Sequence, residues 1–261
     1  MKIAIYQVDA FTNERFKGNP AAVCPLDSWL PDAVMQNIAA ENNLAETAFV
    51  VPTGDRYEIR WFTPTVEVDL CGHATLASAS VLFNELGFVG DQIKFHSPRS
   101  GPLSVTKNGS VLALNFPVDT ITELPILPEY FVGLSQAPHA IFKGKTDYLF
   151  VYDSEAEILD LQPDFEALKA LPVRGIIVTA LGKTTDFVSR FFGPAAGVNE
   201  DPVTGSAHTT LTPYWAAILG KTELTARQLS QRTGDLTCKL LGDRVEIAGE
   251  AVLYLRGEIE I

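Results

Sequence analysis

Only three of the 261 residues are cysteine, Cys24, Cys71 and Cys238. Odd in number and far apart, they do not read as the disulfide framework of a secreted domain, so a reducing cytoplasmic setting is expected. Apolar runs are short as well. None approaches the ~18 residues of a membrane-spanning helix, and Met1-Lys2-Ile3-Ala4-Ile5-Tyr6-Gln7-Val8-Asp9 reaches an acid before any apolar stretch long enough for a signal peptide. Positive charge is scarce: 20 Lys and Arg stand against 32 Asp and Glu, a formal net charge of -12. That balance opposes nucleic acid as a partner, because phosphate-backbone binding draws on clustered basic side chains. The four histidines, His73, His96, His139 and His208, lack ligand spacing with one another or with the cysteines, so no metal is expected. No G-x-G-x-x-G follows a strand, which removes support for a dinucleotide cofactor. Val203-Thr204-Gly205-Ser206-Ala207 lacks the paired glycines of a serine nucleophile elbow.

Hydrophobic residues make up 46% of the chain and charged residues 20%, as in ordinary folded proteins, and the length suffices for two modest domains. The sequence repeats itself once. Arg60-Trp61-Phe62-Thr63-Pro64 is echoed by Arg190-Phe191-Phe192-Gly193-Pro194, and Cys71-Gly72-His73-Ala74 by Thr204-Gly205-Ser206-Ala207. From Gly72 onward the register holds at an offset of 133 residues, pairing Leu86 with Leu219, Gly87 with Gly220, Ser97 with Ser230, Arg99 with Arg232, Gly101 with Gly234 and Gly109 with Gly242. One repetition of half a chain predicts two similar domains facing each other, not a solenoid. The expected domains are 1–118 and 129–261, with the last strand a candidate to return to the first domain. The stretch 119–128 reads as a linker, stiffened by Pro117, Pro125 and Pro128.

Short β-branched and aromatic segments dominate the pattern: Ile3 to Val8, Thr47 to Pro52, Tyr57 to Phe62, Leu103 to Thr106 and Val111 to Phe116. Thr53-Gly54-Asp55 and Asn108-Gly109 are turn signals that join neighbours antiparallel. Each repeat supplies two helices. The earlier pair is expected to begin at Pro31-Asp32 and Pro163-Asp164, the latter running to Leu171, and the later pair at Gly72 and Gly205. Ala74-Thr75-Leu76-Ala77-Ser78-Ala79-Ser80-Val81-Leu82-Phe83 has no polar face, which predicts burial on every side. The fold class is therefore α+β: two pseudo-symmetric domains, each a mostly antiparallel, barrel-like sheet wrapped around a central helix.

The first turn of a helix presents unpaired N–H groups and partial positive charge, and a glycine there lets a ligand approach the backbone. Gly72 and Gly205 are candidate anion-binding positions, and Ser206 adds a hydroxyl. The repeats differ where protons could move. Glu46, at the entry to the apolar strand in Asn43-Leu44-Ala45-Glu46-Thr47-Ala48-Phe49-Val50, has no acidic counterpart in Pro172-Val173-Arg174-Gly175-Ile176-Ile177-Val178. A lone carboxylate in a dry cleft can both accept and donate a proton; an exposed strand-end Glu is the plain alternative.

Asp9-Ala10-Phe11-Thr12, Phe16-Lys17-Gly18-Asn19-Pro20-Ala21-Ala22-Val23, Leu44-Ala45-Glu46-Thr47, Cys71-Gly72-His73-Ala74-Thr75 and Glu200-Asp201-Pro202-Val203-Thr204-Gly205-Ser206-Ala207 together resemble the PhzF family of phenazine-biosynthesis-like isomerases, from end to end of the chain. The resemblance implies the diaminopimelate epimerase-like fold, a homodimer, no cofactor, and a site between the two domains for a small carboxylate substrate. It implies Glu46 as general acid/base, with His73 and Asp201 orienting substrate and assisting transfer. Gly72, Gly205 and Ser206 would bind the substrate carboxylate, with Asn19 a further cleft residue. The epimerase relatives pair two cysteines, and here Thr204 stands opposite Cys71. A threonine hydroxyl is far too weak an acid to replace a thiol, which leaves Cys71 as a buried packing residue. Three readings stay open at this point: a cofactor-independent isomerase, a non-catalytic carboxylate-binding module, and an epimerase or racemase using Cys71 with a non-cysteine partner.

Overall fold

The computed structural model describes residues 1–261 and separates into two compact units, one formed by 1–115 with 248–261, the other by 116–247. No helix is long and apolar enough to cross a membrane.

In the first unit, β1 (Lys2–Ala10) pairs antiparallel with β2 (Asn19–Pro25), which runs parallel to β3 (Glu46–Thr53) across the helix α1 (Asp32–Asn42). β4 (Arg56–Phe62) folds back on β3 through Gly54 and holds the short β5 (Glu67–Val68) on one side. After helix α2 (Gly72–Asn84), β6 (Gln92–Ser97) pairs parallel with β4, and β7 (Gly101–Asn108) and β8 (Val111–Pro117) continue antiparallel. The C-terminal strand, Ala251–Glu260, lies antiparallel on β1. Every residue from His73 to Phe83 is buried. The polar members of α2 tolerate this by bonding to their own helix: Thr75 Oγ1 donates to Cys71 O at 2.6 Å and Ser78 Oγ to Ala74 O at 2.7 Å. α1 covers a separate cluster, with Met35, Ile38 and Ala39 against Phe49, Val51 and Phe62.

The second unit repeats the pairing pattern. β9 (Thr122–Leu124) and β10 (Ala140–Lys143) are antiparallel, as are β10 and β11 (Asp147–Val151). Helices α3 (Glu155–Asp160) and α4 (Phe165–Lys169) lead to β12 (Gly175–Leu181), parallel to β11. β13 (Phe187–Gly193) is antiparallel to β12 and holds the short β14 (Val198–Glu200). A 3-10 turn, Gly205–Ala207, opens into α5 (His208–Leu219); β15 (Glu223–Gln228) then pairs parallel with β13, followed by β16 (Gly234–Leu241) and β17 (Arg244–Gly249). The core beneath α3 and α4 gathers Phe150, Ile158, Leu168, Val178 and Phe192.

Three expectations change. Residues 119–128 are more than a linker: they carry β9 and group with the second unit. Asp119 is tied into it, accepting Thr210 Oγ1 at 2.9 Å and Lys145 N at 3.1 Å, while its N–H bonds Thr209 O at 3.2 Å. Pro213 has no N–H to offer the Thr209 carbonyl, so this bond supplies what the helix cannot. The helix expected up to Leu171 is shorter, because Asp164 caps it and a residue before Pro172 is pushed out of the helical region. The later helix of the second copy begins as a 3-10 turn, with His208, not Gly205, as its first α-helical residue.

Candidate active site

Four residues of the first unit converge at the start of α2. Asn43, in the left-handed region at φ 50°, ends α1 and turns the chain into β3, whose first residue is Glu46. Cys71 precedes α2, and His73 is its second residue. Asn19 opens β2, fixed opposite Ala10. The preceding Gly18, at φ +62°, admits no side chain, since a Cβ there would fall 2.2 Å from Ala10 O. Asn19, Cys71 and His73 are buried and Glu46 is nearly so, its side chain 16% exposed.

The distances make this one cluster. His73 Nε2 lies 3.2 Å from Glu46 Oε2, and Nδ1 lies 3.2 Å from Asn19 Nδ2 and 3.5 Å from Cys71 Sγ. An amide nitrogen cannot accept, so in the neutral form of the ring Asn19 donates to Nδ1 and the ring proton is on Nε2, toward Glu46. Glu46 Oε2 is within ion-pair reach of that nitrogen, and no other protein group bonds it. Burial alone would depress His73; its interactions with the neighbouring Cys71 and Glu46 outweigh it and lift His73 well above its ordinary value. Burial, reinforced by Glu46, pushes the Cys71 thiol up to about 11, so it stays protonated at neutral pH. The first turn of α2 holds no acid and no side-chain cap, which leaves the Gly72 and His73 N–H groups outside the helical ladder.

Asp201, Gly205 and Ser206 belong to the second unit and gather at its own helix start. Thr204 Oγ1 donates to Asp201 Oδ2 at 2.5 Å, and the Thr204 N–H bonds Gln228 Oε1 at 2.8 Å. Gln228 Nε2 returns to Asp201 O at 2.8 Å. Ser206 Oγ accepts from Arg174 Nη2 at 3.1 Å, and Arg174 also grips Asp147 through Nε, at 2.9 Å, and Nη2. Burial works against the Arg174 charge, but Asp147 and the neighbouring Asp201 and Asp119 outweigh it and raise its pKa. His208 is fully buried, bonds Thr204 O through Nδ1 at 2.9 Å, and is lowered by burial to about 4, so its ring is neutral and structural.

Reading the sequence alone missed two contacts. Cys71 is buried as expected yet also touches His73. Glu46, Cys71 and His73 each bring a ligand-type atom within 4.8 Å of the other two, a grouping that spacing could not reveal because Glu46 arrives from a remote strand. In the sequence Arg174 is only a non-acidic residue of the second copy; its bond to Ser206 joins residues 32 apart that no spacing rule pairs.

Comparison with known proteins places the chain in a family. A family model described as phenazine biosynthesis-like protein matches residues 8–257. An uncharacterized isomerase of Pseudomonas aeruginosa is 52% identical over 261 residues, covering all of both chains. Among solved structures, a phenazine biosynthesis protein of the PhzF family from Enterococcus faecalis superimposes with a TM-score of 0.97 at 51% identity, covering all of both chains. A Clostridium difficile protein described as a putative phenazine biosynthesis PhzC/PhzF protein does so with a TM-score of 0.93 at 45% identity, covering 99% of this chain and all of the other. The match spans the whole sequence, the helix starts included, and the chain belongs to the PhzC-PhzF family of phenazine biosynthesis-like proteins.

Proposed function

We propose that this protein is a cofactor-independent isomerase that moves a proton between carbons of a small carboxylate substrate. The names of its relatives support the class of reaction, and the observation that carries the mechanism is local: a buried Glu46 oxygen without a hydrogen-bond partner, 3.2 Å from His73 Nε2. On this reading Glu46 takes a proton from a carbon beside a conjugated system. The electron pair spreads into that system, and the His73 N–H with the Gly72 N–H stabilises the charge. Glu46 then returns the proton to a second carbon, so no atom or electron is gained or lost. Gly205 and Ser206, with the Gly72 N–H, are assigned to holding the substrate carboxylate, Asp201 joins His73 in orienting the substrate and assisting transfer, and Asn19 is a further cleft residue in contact with His73. The barrel-like form of each unit and a homodimeric assembly belong to the same reading; sedimentation of the purified chain tests the latter.

The test is solvent deuterium incorporation into a panel of conjugated hydroxy and amino carboxylates. Glu46→Gln is expected to abolish it while leaving carboxylate binding intact, and retained exchange overturns the assignment. A second reading, an epimerase using Cys71, draws on the 3.5 Å contact between Sγ and His73 Nδ1. A thiol held near 11 can donate but is a poor base at neutral pH. Cys71→Ser that keeps deuterium exchange favours the Glu46 mechanism; loss of exchange in that variant favours the epimerase.

A further inference from the structure

The prolines that precede the earlier helix of each copy align Trp29-Leu30-Pro31-Asp32 with Leu161-Gln162-Pro163-Asp164, so Leu161 stands where the first copy has Trp29. An indole has been exchanged for a much smaller side chain. In the first unit the Arg60 guanidinium lies 5.4 Å from the Trp29 ring and 5.2 Å from the Phe62 ring. In the second, Arg190 keeps the equivalent of Phe62, lying 4.9 Å from Phe192, and beside it opens a cavity of about 440 Å³ lined by Leu161, Phe165, Arg190, Glu200 and Leu229. Leu161 and Arg190, the counterparts of Trp29 and Arg60, both line it. Its volume falls within the ~300–1,000 Å³ of small-molecule sites.

The polar groups decide what the cavity can take. Arg190 Nε and Nη2 hold the two Glu200 oxygens at 2.7 and 3.0 Å, and Nη1 donates to the Ile158 and Leu161 carbonyls, so the charge is already matched and an anion gains little there. What the guanidinium still offers is its flat face, which attracts the face of an aromatic ring. The Trp29 N–H donates to Glu58 Oε2 at 3.1 Å, but two residues before Arg190 the chain carries Val188 in place of that acid. A ring in the second copy therefore needs no N–H. We propose that this cavity binds an uncharged planar aromatic molecule, its ring against Leu161 and over the Arg190 guanidinium, where the first copy places its own Trp29. The site shares no residue with the groups assigned to proton transfer or carboxylate binding and does not rest on that assignment.

Titration of a fluorinated indole into the full-length chain, followed by fluorine NMR, tests the site. One equivalent is expected to bind. Leu161→Trp returns the side chain of the first copy and is expected to abolish binding; Leu229→Trp fills the same cavity from another wall and is expected to do so as well. Thermal unfolding identifies which of the two variants is folded. A fluorinated cyclohexanol, which fills similar space without a π face, is expected to bind about threefold to thirtyfold more weakly than the indole, the factor a guanidinium–ring contact supplies. Absence of saturable indole binding to the unaltered chain, undiminished binding in a folded tryptophan variant, or equal affinity for the saturated ring overturns the proposal.

Discussion

The start of α2 and the 3-10 turn that opens α5 are the same place in two copies of one design, and they have kept different things. Both copies keep an arginine clamp. Arg60 of β4 grips Glu67 of β5 at 2.7 and 2.9 Å, and Arg190 of β13 grips Glu200 of β14 at 2.7 and 3.0 Å. Each guanidinium lies over a phenylalanine two residues on, Phe62 at 5.2 Å and Phe192 at 4.9 Å. What changed is the chemistry at the helix start. Cys71 became Thr204 and His73 became Ser206. Strand register carries the comparison further: Thr47 faces Phe62 as Ile176 faces Phe192, so Glu46 corresponds to Gly175 and Ala45 to Arg174. One copy aims a carboxylate at a histidine; the other aims a guanidinium at a serine. Both copies share the arginine clamps, while the helix-start positions differ; on the proposed function those positions serve proton transfer in one copy and carboxylate binding in the other.

Glu46→Gln and Arg174→Gln should separate those two roles. On the proposed function, Glu46→Gln lowers kcat by roughly 10²–10⁴-fold, the usual contribution of a general acid/base, with KM little changed. Arg174→Gln, which removes the guanidinium that holds Ser206, should act mainly on KM, by about tenfold or more, since a hydrogen bond to a charged group is worth about 1.5–3 kcal/mol. Steady-state kinetics on any carboxylate found to exchange deuterium decides the matter. Equal effects on kcat from both variants would erase the division of labour between the copies.

The clamps offer a second comparison, read as stability. Arg190 Nη1 also donates to the carbonyls of Ile158 at 3.0 Å and Leu161 at 3.1 Å, at the end of α3, whereas Arg60 Nη1 reaches only the exposed Asp32. Glu67 moreover keeps Arg99 at 2.7 Å when Arg60 is removed. Arg190→Ala should therefore cost about 2–3 kcal/mol and Arg60→Ala about 1 kcal/mol in urea unfolding. A reversed order would mean that the carbonyl contacts contribute nothing.

Much of this was legible in the sequence and some was not, for physical reasons. The helix that opens on Gly72, the arginines and the break in symmetry at Glu46 were visible because local propensity and a constant offset survive in one dimension. Gln228, which satisfies both the Thr204 N–H and the Asp201 carbonyl, has Phe95 as its counterpart at that offset, so the repeat carried no trace of it. Asp119 looked like linker because its partners, Lys145, Thr209 and Thr210, come from far along the chain. The Glu46, Cys71 and His73 grouping needed the parallel pairing of β2 with β3, which sets Glu46 beside Ala21 and no spacing rule encodes.

Gly175 shows why the second copy could not simply retain the carboxylate. A Cβ built on it would lie 2.2 Å from Phe191 Cζ, the ring on which Arg174 stacks at 5.3 Å. Gly175→Ala should destabilise the chain by about 1–3 kcal/mol through overpacking, and Gly175→Glu by more. If Phe191→Ala rescued Gly175→Ala, the aromatic ring would be identified as the element that fixed the second copy in its present role.

The finest contrast is between the two histidines nearest the helix starts, which should bend the pH dependence of stability in opposite directions. His208 is depressed to about 4 by burial, so between that value and its unfolded value of ~6.5 the unfolded chain binds the extra proton. Its contribution to stability is complete above pH ~6.5 and is lost as pH falls toward 4. His73 is raised above ~6.5, so the folded chain holds the extra proton. Its contribution is present below that pH and is lost as pH climbs through the folded value. Either slope is bounded at about 1.4 kcal/mol per pH unit, the effect of one proton. Urea unfolding across pH is expected to show His208→Gln flattening the acid limb and His73→Gln flattening the limb above ~6.5. If His73→Gln leaves the upper limb unchanged, the ring is not charged in the folded protein. In that case Asn19 keeps its hydrogen bond to Nδ1, and Glu46 faces a neutral N–H donor instead of a cation.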